Sequence, residues 1–124
     1  MLAAMNRVIL FVGDVERCAN FYRDLFDLSP IESRRPSDEW CELDAGGCRL
    51  AFHKAYGPDG PVDGPTGGPN NPHKIVFYAE DVPAMREELI RRGAQMEDAS
   101  IAGDLALCDG SDPEGHRFQI SNRL

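Results

Sequence analysis

The sequence carries one pattern twice, and that repetition restricts the folds open to it. RVILFVGDV (7–15) aligns without gaps on KIVFYAEDV (74–82). Each begins with a cation, runs through five apolar or aromatic residues, and closes on a spacer, Asp and Val. Each reads as a strand ending at an aspartate, Asp14 or Asp81, placed to cap a following helix. After Asp14, residues Val15, Cys18, Ala19, Tyr22, Leu25 and Phe26 recur at helical spacing, so one face of a helix is apolar. After Asp81, Pro83 suits a first turn, Met85 and Leu89 share a face, and Gly93 is a stop signal.

The pattern then resumes. CRLAFH (48–53) matches HRFQIS (116–121), pairing Arg49 with Arg117, Ala51 with Gln119 and Phe52 with Ile120. Before the first of these lies EWCELDAGG, an alternating strand with Ala45-Gly46-Gly47 as a hairpin turn. Before the second lies DLALCDGSDPEG, again a strand and a turn. Each half therefore reads strand, helix, then two or three antiparallel strands. The predicted class is α+β, one domain of paired βαβββ modules at about 5–56 and 73–124. Between them runs GPDGPVDGPTGGPNNP (57–72), in which ten of sixteen residues are Gly or Pro. That stretch can be neither helix nor central strand, and reads as a connector or as a loop over a cleft.

Composition narrows the partners. A formal net charge of −8 disfavours nucleic acid. No apolar run reaches the roughly 20 residues of a membrane span. MLAAMNR has no basic n-region or long h-region, so no secretory signal is expected. The cysteines at 18, 41, 48 and 108 form no CxxC or zinc spacing; they read as reduced, small buried hydrophobes, which points to the cytoplasm.

Alternation sorts the side chains onto two faces of each sheet. Val8, Leu10, Val12, Cys41, Leu43, Cys48, Leu50 and Phe52 face the first helix; Ile75, Phe77, Ala79, Phe118 and Ile120 face the second. The opposite face holds Arg7, Ile9, Phe11, Trp40, Glu42, Arg49, Ala51 and His53, and from the second half Lys74, Val76, Tyr78, Arg117, Gln119 and Ser121. Aromatics mixed with a few convergent polar groups suit a ligand cavity between curved sheets. Trp40, Phe11 and Tyr78 are candidates to stack on a planar ligand. Arg7, Lys74, Arg49 and Arg117 would make the cavity basic and favour an anion. A symmetric turn places Glu42 opposite Arg49, as an ion pair or as part of a site. His116 falls in a turn and is expected to be exposed; His73, beside the Pro-rich stretch, is expected to be structural.

VILFVGDVERCANFYRDLFDL, ELDAGGCRLAFH, KIVFYAEDVPAMREELIRRGAQ and SDPEGHRFQISNR together resemble the vicinal oxygen chelate superfamily. That group includes glyoxalases, fosfomycin and bleomycin resistance proteins and extradiol dioxygenases. The resemblance covers 6–123 and implies paired modules around a cavity, in a homodimer. It also implies four metal ligands, at the start of each module's first strand and on each last strand. Here those positions hold Arg7, Lys74, Ala51 and Gln119. Arginine and lysine offer no lone pair, and alanine offers nothing, so one weak ligand of four remains and no metal cofactor is expected at the family site. The reading that follows is a binder of a small anionic or planar organic molecule. The alternative is a glyoxalase-like lyase, isomerase or dioxygenase-type enzyme. It would use a displaced metal on His53 and Glu42, or Lys74 and His53 as catalytic groups. The ligand-binding candidates are Arg7, Phe11, Trp40, Glu42, Arg49, His53, Lys74, Tyr78 and Gln119.

Overall fold

Both halves fold as the repeat predicts. The computed structural model describes residues 1–124 as two compact units, Met1–Thr66 and Gly67–Leu124. In the first, β1 (Arg7–Val12) leads to α1 (Val15–Phe26), then β2 (Ser29–Pro30), β3 (Trp40–Asp44) and β4 (Arg49–Lys54). A short hairpin follows, β5 (Tyr56–Gly57) with β6 (Gly60–Pro61). The second unit holds β7 (Ile75–Tyr78), α2 (Val82–Arg91), β8 (Gln95–Met96), β9 (Ser100–Ala102), β10 (Leu105–Ser111) and β11 (Arg117–Ser121). Strand order is β1-β4-β3-β2 in one sheet and β7-β11-β10-β8 in the other, with β9 also on β10. In each, the first strand lies parallel to the last and the remaining pairings are antiparallel.

The helices start as expected and end differently. The Asp14 carboxylate accepts from Arg17 N at 3.0 Å, and Asp81 accepts from Ala84 N at 3.0 Å, satisfying donors the first turn leaves over. Gly93 follows α2 with φ +97°, where glycine carries no Cβ penalty. After α1 the left-handed position is occupied by Asp27, φ +54°; aspartate is among the few residues that enter this region readily.

Each helix covers one face of its own sheet. Val15, Cys18, Tyr22 and Leu25 of α1 are buried where the helix packs on β3 and β4, with Leu43, Leu50 and Phe52 buried beneath it and Leu10 and Val12 buried in β1. Tyr22 and Phe52 are wholly buried, their ring centroids 5.6 Å apart. Each such ring contributes on the order of 1.5 to 3 kcal/mol by leaving water. In the second unit Val82 and Leu89 of α2 bury, as do Cys108, Phe118 and Ile120 of the sheet. Gly110 is needed there, because a Cβ would fall 2.4 Å from the Phe118 ring.

Three local expectations are corrected. Glu42 lies opposite Ala51, and Arg49 lies opposite Asp44. The connection takes four residues, Ala45 to Cys48, closed by Ala45 N donating to Cys48 O at 3.1 Å. That shifts the register and leaves Cys48 in the turn. Second, His116 is buried, at 7 % exposure. Asp112 Oδ1 accepts from Glu114 N and His116 N at 2.9 and 3.0 Å. This folds the turn inward, and Gly67 lies so close that a Cβ would sit 2.4 Å from His116 N. Third, all four cysteines are free thiols, but only Cys18 and Cys108 are buried; Cys41 and Cys48 are part-exposed.

The Gly/Pro-rich stretch is divided between the units at Thr66 and Gly67. Its first part is fastened to unit one. Val62 N donates to Ala55 O at 2.9 Å, and Thr66 Oγ1 donates to Phe11 O at 2.7 Å. Lys54 Nζ reaches Gly13 O at 2.6 Å and Val62 O at 2.9 Å.

Candidate functional site

The register of β1, β4 and β3 lays the uncovered face of the first sheet out in three rows. Arg7, Arg49 and Asp44 form one, Ile9, Ala51 and Glu42 the next, and Phe11, His53 and Trp40 the third. Eight of these nine positions, all but Asp44, are those assigned by alternation to this face, so a strand period of two sufficed to collect them.

The charges in the first two rows neutralise one another. Glu42, only 8 % exposed, accepts from Arg7 Nε at 2.7 Å and has Arg49 at 3.6 Å. The third row is aromatic. Phe11 and His53 centroids are 5.4 Å apart, and Trp40 meets His53 edge-on at 6.0 Å. Phe11 remains 56 % exposed and Ile9 41 %. Half-bare apolar side chains in adjacent rows of one face are what a ligand or a covering surface needs.

His53 is committed at both nitrogens. Nε2 lies 3.1 Å from Arg35 Nη2 and Nδ1 lies 2.7 Å from Lys54 O. Arginine only donates and a carbonyl only accepts, so Nε2 carries the lone pair and Nδ1 the proton. Arg35 also stands over the Trp40 ring, 4.8 Å from its centroid.

The second sheet repeats the arrangement with different residues. Its rows place Val76, Gln119 and Asp109 together, and Tyr78, Ser121 and Leu107 together. Asp109 accepts from Lys74 Nζ at 3.0 Å and from Gln119 Nε2 at 3.1 Å. Arg117 pairs with Glu97 at 2.5 Å. Tyr78 and Val76 stay more than half exposed. The first unit thus gathers Arg7, Phe11, Trp40, Glu42, Arg49 and His53, and the second gathers Lys74, Tyr78 and Gln119.

Two residues that matter were not singled out from the sequence. Asp109 is the twin of Glu42, and the spacing of 35 residues from Arg7 to Glu42 recurs from Lys74 to Asp109. The repeat therefore held that signal. Arg35 has no counterpart and sits in the polar run IESRRPSDE, where nothing marks it.

A family model for a glyoxalase-like domain matches residues 7–121. The chain belongs to the glyoxalase-like family. It thereby falls in the vicinal oxygen chelate superfamily, and solved structures agree on the fold. A glyoxalase/bleomycin resistance protein/dioxygenase family enzyme from Burkholderia phytofirmans superposes with TM-score 0.74 at 20 % identity, covering 98 % of this chain and 100 % of that one. The fosfomycin resistance protein FosX from Listeria monocytogenes gives 0.75 at 17 %, over 98 % and 93 %. TnmS3, an antibiotic binding protein from Streptomyces, gives 0.73 at 17 %, over 97 % and 96 %. No curated protein matches the sequence.

In this glyoxalase-like chain the residues at the superfamily's metal positions do not fit a divalent ion. Arg7 and Lys74 are cations already joined to Glu42 and Asp109, Ala51 has no donor atom, and Gln119 alone offers one neutral amide oxygen. Nor do three His, Cys, Asp or Glu side chains gather elsewhere. The Glu42 and His53 atoms a displaced ion would need are occupied by Arg7 and Arg35.

A separate cavity of about 190 Å³ opens beside β3, between α1 and the loop 31–37. Trp40, Cys41, Arg23 and Arg35 are among its walls. Burial pushes the Cys41 thiol up, Glu16 adds to this, and Arg23 opposes it. Thiolate is the reacting form, so alkylation of Cys41 at pH 8 is expected to run slower than that of a free thiol and to accelerate as pH rises further. Peptide mass spectrometry after timed iodoacetamide treatment measures this; labelling at the free-thiol rate at pH 8 contradicts it.

Proposed function

We propose that this glyoxalase-like protein binds a small planar organic molecule, without a metal, over the uncovered face of its first sheet. The observation that carries the reading is the aromatic row Phe11, His53 and Trp40, brought together by β1, β4 and β3, in which Phe11 stays half-exposed. Stacking on such rings is worth about 0.5 to 1.5 kcal/mol per ring beyond burial. The likeness to an antibiotic binding protein supports a binding role. The cations on the two faces, Arg7, Arg49, Lys74 and Arg117, each have a carboxylate partner, which favours a flat ligand over an anionic one on these surfaces. Catalysis by Lys74 or His53 finds less support, because Lys74 donates to Asp109 and the His53 lone pair accepts from Arg35.

Trp40 is the single tryptophan of the chain, so its emission reports on this row and on whatever else touches that ring. Flat, uncharged aromatic compounds of one to three fused rings are expected to quench it saturably, before and after dialysis against a chelator. Phe11→Ala is expected to weaken that binding about three- to tenfold, the loss of one stacking partner. Absence of saturable quenching across the series, or its loss on chelation, rules the proposal out.

A further inference from the structure

The cavity beside β3 is a different place from the aromatic row, although Trp40 borders both. Cys41 alternates with Trp40 along the strand and points to the helix side, where Glu16 and Arg23 of α1 act on it. Two guanidiniums reach this cavity. Arg23 is held by Asp24, at 2.9 Å from Nε. Arg35 meets no carboxylate; its side-chain contacts are the Trp40 ring and His53 Nε2. An arginine has five N–H donors, and a single hydrogen bond to a neutral imidazole leaves most of them unused.

We infer that this cavity is a binding site for a single-ring aromatic carboxylate, with Arg35 as the group that recognises the acid. The size fits: an apolar cavity of about 150 Å³ holds one benzene ring, and 190 Å³ leaves room for one small substituent. The walls divide as such a molecule requires. Pro30, Ile31 and Leu43 offer apolar surface to the ring. Arg35 offers a fork matched to a carboxylate. Ser33 stands beside it and accepts the Arg35 backbone N–H at 3.1 Å, so its own hydroxyl proton remains to give. Glu42 borders the cavity, but Arg7 and Arg49 neutralise it.

The site stands independently of the aromatic row, and the two fail separately. Benzoate is expected to protect Cys41 from iodoacetamide, which a ligand on the opposite face would not do, and also to shift Trp40 emission. Benzamide, of the same shape without the charge, is expected to bind at least tenfold more weakly. Arg35→Ala should weaken benzoate at least tenfold, and Arg35→Lys should restore part of the loss. Arg35 lies exposed on a loop, so the variants should keep the melting temperature of the parent. The inference is overturned if benzoate fails to protect Cys41, if benzamide protects it equally, or if Arg35→Ala binds benzoate as the parent does. Flat uncharged compounds would still quench Trp40 in each case if the aromatic row alone is the ligand surface.

Discussion

Replacing Phe52 with alanine is expected to lower the unfolding free energy by about 3 to 5 kcal/mol. Phe52 is wholly buried and its ring meets Tyr22 of α1. The cavity left behind would be lined by rigid strand and helix, which relax only in part. Single domains are stable by roughly 5 to 15 kcal/mol, so this one change removes a large share. The melting temperature should fall by roughly 10 to 20 °C. The consequence reaches the candidate site, because Phe52 anchors the strand that presents Ala51 and His53 on its other side. Thermal unfolding followed by circular dichroism measures the effect; a fall of under 3 °C would show that the packing of α1 on the sheet contributes little.

The second large effect should come from Glu42→Ala. Glu42 is buried and its carboxylate holds two guanidiniums. Removing it leaves Arg7 and Arg49 facing each other across β1 and β4 without the carboxylate that pairs with both. Breaking a fully buried pair costs about 3 to 5 kcal/mol. Arg7 is one-third exposed and Arg49 one-half, so water screens part of that, and about 1 to 3 kcal/mol is expected. The face also changes sign. It should become an anion site, so sulfate should raise the melting temperature of the variant by more than it raises that of the parent. Equal responses of the two proteins to sulfate would show that Glu42 does not set the charge of this face. The matching change at Asp109 should act in the same direction and more weakly, since Asp109 is less buried than Glu42 and holds one cation, Lys74.

The pairing of each cation with a carboxylate also explains why this member of the family departs from the usual pattern without collapse. Two cations stand where the resemblance expects metal ligands. An isolated cation on a half-buried sheet would be costly; Glu42 and Asp109, one strand over, remove that cost within each unit. The two units reach the same solution independently, at the same sequence spacing.

The sequence by itself determined the two βαβββ units, the capped helix starts at Asp14 and Asp81, and the division of each sheet into a helix face and an open face. These follow from local rules: side chains alternate with period two in a strand, recur with period 3.6 in a helix, and an aspartate before an apolar run satisfies free N–H groups. Arg7, Phe11, Trp40, Glu42, His53, Tyr78 and Gln119 were placed on their faces by these rules alone. Only the tertiary structure decided what each charge meets. The four-residue turn after Asp44 set Glu42 opposite Ala51, within reach of Arg7, and so turned a face that looked basic into a neutral one. The inward fold of the Asp112 turn buried His116. The loop 31–37 carried Arg35 onto Trp40 and His53 and opened the cavity beside them. Turn length, loop path and side-chain pairing depend on contacts between residues far apart in the chain, and those contacts have no period to read.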